Sequence, residues 1–148
     1  MTDVPTAGQL WIVLVRCTKA LTEHVEQSVA EAGLVLTDFM ILEALLHKGP
    51  LTITEIQSKI LLASGSMTAA VDRLERKGCI VRRSIQQDRR ARQLELTPDG
   101  RALIERIYAS HKAEFEALMS VLGDDERRQT YASLKKLGLH AAAAHARR

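Results

Sequence analysis

Two proline-bearing breaks, Gly49-Pro50 and Thr97-Pro98, bracket a stretch that cannot be one long helix and is cut into short pieces by its own caps and glycines. Thr52-Ile-Thr-Glu55 is a capping box: the Thr hydroxyl and the Glu carboxylate each satisfy an amide at a helix start. Leu51 and Ile56 are spaced as the accompanying hydrophobic staple, so a short helix is expected over about 53–60. Ser64 is a second N-cap candidate, opening a helix over about 65–77 that stops at Gly78. Arg76 and Lys77 fall in its last turn, where they complement the helix dipole. Cys79–Ser84 and Gln93–Leu96 then read as strands, joined by the polar segment Ile85–Arg92. That segment lacks Asn-Gly or Asp-Gly, so it is not a two-residue turn. Thr97 caps the next helix, with Pro98 at its first position, where a missing N–H costs nothing.

Longer helices flank this region. Leu10, Val13, Leu14, Cys17 and Leu21 recur at helical spacing, which predicts a helix from about 8 to 32 that ends near Gly33. Thr37 is placed as the next N-cap, with Leu36 and Ile41 as its staple, and that helix runs to about Lys48. After Pro98, apolar residues from Ile104 to Leu122 carry a fifth helix to about 122. Gly123-Asp124-Asp125 marks a break, and Tyr131, Leu134 and Leu137 line a sixth helix. The Ala-rich end from His140 to Arg148 is expected to fray. Aromatic residues are only 3% of the 148, so the core must be built of Leu, Ile, Val and Ala, a mixture suited to helices. The fold class expected is mainly α with a small β-hairpin, in one domain over 1–148.

The helices at 53–60 and 65–77, joined by about four residues, match a helix-turn-helix. In the second, Met67, Ala70, Val71 and Leu74 form an inward face and leave Ser66, Thr68, Ala69 and Arg73 outside. A slim face bearing hydroxyls and an arginine suits a major groove about 12 Å wide. The amides of Ser64, Gly65 and Ser66 are placed to meet a phosphate. Residues 64–92 hold eight basic side chains (Arg73, Arg76, Lys77, Arg82, Arg83, Arg89, Arg90, Arg92) and three acidic ones (Asp72, Glu75, Asp88). This local excess of five positive charges sits in a chain of net charge +3. Two readings fit it, a polyanion-binding face and an ordinary solvated charge run. The hairpin favours the first, because an Arg-rich loop directly after the second helix is a winged-helix layout. Arginine at such a tip suits a narrow minor groove. Asp88 fits there as the carboxylate that orients one guanidinium while the other reaches out.

The segment SGSMTAAVDRLERKGCIVRRSIQQDRRARQLELTPDG closely resembles the MarR family of bacterial transcription regulators, through Asp72-Arg73-Leu74-Glu75, Lys77-Gly78, Asp88-Arg89-Arg90, and Leu96-Thr97 with Gly100. The order and spacing fit over about 36–100, and the flanking helices fit more loosely to about 140. The resemblance implies a winged-helix DNA-binding core over about 36–96 and dimerisation helices over about 8–32 and 97–144. It implies that Ser64, Ser66, Met67, Thr68 and Ala69 lie at the DNA-facing start of the recognition helix and Arg73 near the DNA backbone. It also implies that Arg89 or Arg90 is the wing-tip arginine, with Asp88 supporting it. The partners implied are double-stranded DNA, as a pseudo-palindromic operator, and a second copy of the chain. The function implied is sequence-specific regulation, as a repressor released by a small ligand or by oxidation. The segments LLASGSMT and SLKKLG resemble the branch that answers quinones and aromatic electrophiles, so a phenolic or quinone effector is expected, with Trp11, Arg16 and His24 as candidate pocket residues.

Other classes find little support. Cys17 and Cys79 are too few for a disulfide framework and form no Cys-x-x-Cys pair; both are read as core residues. The five histidines are dispersed, and no metal or other cofactor is expected. No Gly-rich phosphate loop, HExxH or GxSxG is present, so no enzyme activity is expected. No run approaches the ~18 apolar residues that span a membrane, and the start of the chain has no signal-peptide pattern, so a cytoplasmic protein is expected. The rival reading, a winged helix used as a protein–protein scaffold, is opposed by the basic wing.

Overall fold

The computed structural model describes residues 3–60, 65–85 and 88–147; the side chains of 88–91 lie outside that description. Six helices and three strands follow in order: α1 (Ala7–Glu31), α2 (Leu36–Lys48), β1 (Leu51–Thr52), α3 (Ile53–Lys59), α4 (Met67–Arg76), β2 (Ile80–Ile85), β3 (Asp88–Leu96), α5 (Pro98–Met119) and α6 (Asp124–His145). The chain divides into two compact units, residues 1–111 and 112–148.

The core of the first unit gathers Phe39, Ile41, Leu42 and Leu45 from α2, Ile56 from α3, and Met67, Ala70, Val71 and Leu74 from α4. Cys79, Ile80, Leu94, Ile104 and Ile107 close it. Apart from Phe39 it is built without aromatic side chains, in keeping with the low aromatic content. Helix α3 begins at the expected capping box: the Glu55 amide donates to Thr52 Oγ1 at 3.2 Å, and the Thr52 amide donates to Glu55 Oε2 at 2.7 Å. The Thr52 amide and, at 3.0 Å, the Thr52 hydroxyl both donate to the Glu55 carboxylate and hold its pKa below its ordinary value.

Three antiparallel strands form a sheet in the order β1-β3-β2. Leu51 pairs with Leu94, and Ile80, Val81 and Arg82 pair with Leu96, Glu95 and Leu94, with a register shift between Ser84 and Ile85. Strand β1 was not expected from its two residues. Strand β3 starts at Asp88, five residues before the expected Gln93. Asp88 pairs with Ile85 and Arg92 with Ser84 across the register shift, a backbone pairing that no apolar alternation advertises.

Two expected caps lie elsewhere. Helix α2 starts at Leu36 with Val35 at the N-cap and no side-chain cap bond. Thr37 is buried within the first turn, which is instead charge-matched to the dipole by Asp38. The N-cap of α4 is Ser66, whose Oγ accepts from the Ala69 amide at 3.3 Å. The expected cap Ser64 lies outside the described residues. Gly65, with φ +83°, turns the chain into this cap, a conformation that side chains rarely adopt.

Helix α1 buries only Val29. Leu10, Trp11, Ile12, Val13 and Val15 are exposed, and so is Cys17, contrary to its reading as a core residue. Helical periodicity identifies an apolar face but does not say that the same chain covers it. In the second unit, Arg127 ties the two helical segments together, donating to Glu116 Oε2 at 3.0 Å and to the Met119 carbonyl at 3.2 Å. Helix α6 has no buried residue and exposes Tyr131, Leu134, Leu137 and Leu139; it stays helical to His145 rather than fraying after His140. No helix of the described residues is long and apolar enough to cross a membrane.

The hairpin and α5 approach each other closely at their junction. Thr97 Oγ1 donates to the Gly78 carbonyl at 2.6 Å and accepts from the Gly100 amide at 3.0 Å, while the Thr97 amide donates to the Cys79 carbonyl. A Cβ on Gly100 would lie 1.9 Å from that carbonyl oxygen, which is backbone and cannot rotate away. Gly100→Ala is therefore expected to lower stability by about 2 kcal/mol or more in urea unfolding. A change within 0.5 kcal/mol would show that the junction yields.

Candidate nucleic-acid interface

Helix α4 presents a divided surface. Met67, Ala70, Val71 and Leu74 are buried, whereas Gly65, Ser66, Thr68, Ala69 and Arg76 are exposed. The exposed side chains are short at the start of the helix, with the Arg76 guanidinium at its end, a geometry that suits a groove-entering helix. The Met67 side chain belongs to the core, as expected from its place on the inward face, although the residue stands at the start of the helix. Ser64 and the side chains of Asp88, Arg89 and Arg90 lie outside the described residues.

Arg73 is not a free cation. Its Nε donates to Asp38 Oδ2 at 2.9 Å and its Nη2 to Asp38 Oδ1 at 2.5 Å, a bidentate pair between α4 and α2. The Asp38 side chain is 1% exposed and that of Arg73 is 36% exposed. Hydrogen bonding to the carboxylate raises the Arg73 pKa further above its ordinary value, so its charge is permanent. The pair gives Arg73 a role in the fold, because a buried carboxylate needs a partner.

Much of the remaining basic block is also matched internally. Arg82 on β2 is bonded to Asp72 and, at 2.7 Å, to Glu75, both on α4. Arg83 bonds Glu95 across the hairpin at 2.7 Å, and Arg92 donates to Ser84 Oγ at 2.8 Å. Lys77 Nζ reaches the Gly33 carbonyl at 3.3 Å. Arg76 Nε donates to the Asp72 carbonyl at 3.4 Å, and the residue shares the outer face with Ala69 and Asp72. Its i, i+4 and i, i+7 spacing to those residues was a signal available in the sequence.

A cavity of about 420 Å³ opens beside the start of α4. Glu26 and Ala30 of α1, Leu34 and Val35 of the following connection, and Gly65, Ser66, Ala69 and Arg73 line it. Trp11, Arg16 and His24 are not among its lining residues; Trp11 and Arg16 are exposed on α1, and His24 is half-buried with its Nε2 unbonded. The Cys79 thiol is pushed up in pKa by burial, which leaves it less thiolate than a free cysteine.

The model of the MarR family matches residues 34–91. The HTH-type transcriptional regulator MhqR of Bacillus subtilis is 38% identical over 137 residues, covering 93% of this chain and 94% of that protein. The chain belongs to the MarR family. It is a MarR-family transcriptional regulator with the helix-turn-helix and hairpin described above. AbsC, a MarR-family regulator from Streptomyces coelicolor, superposes with a TM-score of 0.82 at 18% identity, covering 96% of this chain and 99% of its own, and so shares the fold. Reduced AbfR bound to DNA superposes at 0.67 with 25% identity, over 92% of this chain and 94% of its own.

Arg73→Ala strips the buried Asp38 of its partner. Because the guanidinium is about one-third exposed and partly screened, the loss is expected near 2 kcal/mol in urea unfolding, below that of a fully buried pair. Unchanged stability together with weakened DNA binding would return Arg73 to a backbone-contact role.

Proposed function

We propose that this chain represses transcription by binding a pseudo-palindromic duplex operator as a homodimer. The observation that carries the reading is the exposed, slim outer face of α4, formed by Ser66, Thr68 and Ala69 and flanked by the β2–β3 hairpin. Thr68 and Ser66 offer hydroxyls to base edges, and the capped N-terminus of α4, with the Gly65 amide, offers partial positive charge to a phosphate. Arg89 and Arg90, supported by Asp88, supply the hairpin's contacts in the minor groove. The AbfR structure, a relative on DNA, supports the same use of the fold.

The homodimer reading rests on apolar side chains that a single chain leaves in water. Leu10, Trp11 and Val13 on α1 and Tyr131, Leu134 and Leu137 on α6 are exposed, too many for an isolated surface. A second copy of the chain covers them, as one functional domain over 1–148. Two recognition helices then meet successive major grooves about 34–36 Å apart. Release is by a small phenolic or quinone ligand. The cavity of about 420 Å³ is of a size for one, and it touches Ser66 and Ala69 directly, so occupancy bears on the reading helix.

Selection of bound fragments from genomic DNA, followed by anisotropy titration, tests the reading. Arg89→Ala and Arg90→Ala are expected to weaken operator binding about tenfold while the dimer persists in sedimentation. Wild-type affinity in both variants would remove the hairpin from the interface. Phenols, quinones or peroxide should release the selected fragment; failure of all three would remove the effector assignment.

A further inference from the structure

On α4, Thr68, Asp72 and Glu75 stand at i, i+4 and i+7, a single stripe along the helix. The stripe that begins with a proposed base-reading hydroxyl therefore continues into two carboxylates. Facing a polyanion, they would repel it. Arg82 of β2 closes on both: Nη1 donates to Glu75 Oε2 at 2.7 Å, and Nη2 pairs with Asp72. The fork of one guanidinium spans a helical turn, which an ammonium does not do. Arg82 lies opposite Leu94 in the ladder, so the same residue is fixed at its backbone to β3 and at its side chain to α4. None of the three groups is deeply buried: their side chains are 30%, 49% and 39% exposed for Arg82, Asp72 and Glu75. The core does not require the cluster, which leaves its effect on the two DNA-facing elements.

We infer that Arg82 is a positioning residue for DNA recognition: clamped to Asp72 and Glu75, it sets the angle of the hairpin against α4 and cancels the negative charge on the reading stripe. The inference rests on the proposed DNA-binding role. In this reading the carboxylates are there to hold the arginine, and the arginine's charge is spent inside the protein rather than on a phosphate.

The test uses the full-length protein and a duplex that the wild type selects from a random-sequence pool, with a random duplex as control. Asp72→Asn combined with Glu75→Gln raises the net charge by two, so electrostatics alone would tighten binding to every duplex. The clamp predicts the opposite for the selected duplex: affinity falls about tenfold, while affinity for the random duplex holds or rises. At saturating protein, hydroxyl-radical protection in the minor groove on the hairpin side is lost and guanine N7 protection in the major groove remains. Arg82→Gln reproduces this pattern, and Arg82→Lys, whose single ammonium engages one carboxylate, falls between it and the wild type. Should Arg82→Gln fail to fold, as judged by circular dichroism, the double variant decides. Selected-duplex binding by that variant as tight as wild type with a complete footprint would overturn the inference, as would all protections fading together. If the wild type enriches no duplex at all, it is the DNA-binding reading that fails.

Discussion

A carboxylate with almost no contact with water, Asp38, anchors the DNA-facing half of this protein. Burying it carries a desolvation cost of several kcal/mol, which is tolerable only because Arg73 meets both of its oxygens. That requirement fixes the rotation of α4 about its own axis. With Arg73 turned toward α2 and Leu74 and Val71 in the core, Thr68 and Ala69 have no direction left but outward. Lys77, bonded to the Gly33 carbonyl, repeats the attachment at the end of the helix. The outer face of α4 is thus set by what the helix must do on its other sides.

The hairpin is located by a second set of constraints. Its base is pinned by Thr97 and by the close approach of Gly100 to the Cys79 carbonyl, and its first strand is bound to α4 through Arg82. Helix α5 therefore starts from a point rigidly related to the β2–β3 ladder. The cavity at the start of α4 lies on the opposite flank, between the end of α1 and Ser66. Helix α4 is in contact with the cavity on one side and with the hairpin on the other.

Features encoded in neighbouring residues were readable from the sequence. The Thr52–Glu55 box, the stop at Gly78 and the Thr97-Pro98 restart all depend on partners within a few positions, and each stands where it was expected. Ser64 and Ser66 flank the same glycine, and nothing local distinguishes which of them caps α4. Thr37 is not the cap because the helix begins two residues earlier than it would behind that cap, with Val35 at the N-cap. Partners distant in sequence were not legible at all. Asp38 and Arg73 are 35 positions apart, and each alone looks like a surface residue. Arg82 and Arg83 looked like part of a DNA-facing block for the same reason. The apolar face of α1 was legible as a face, but its periodicity is the same whether the cover comes from this chain or from another.

The internal pairing of these arginines has a consequence for how such a protein moves through a cell. A regulator is drawn to any DNA in proportion to the phosphates it neutralises, and irrelevant sites outnumber the right one by many orders of magnitude. Arg73, Arg82 and Arg83 each spend their charge on a carboxylate of their own chain. They add little to that background attraction, so less of the protein is held idle along the chromosome.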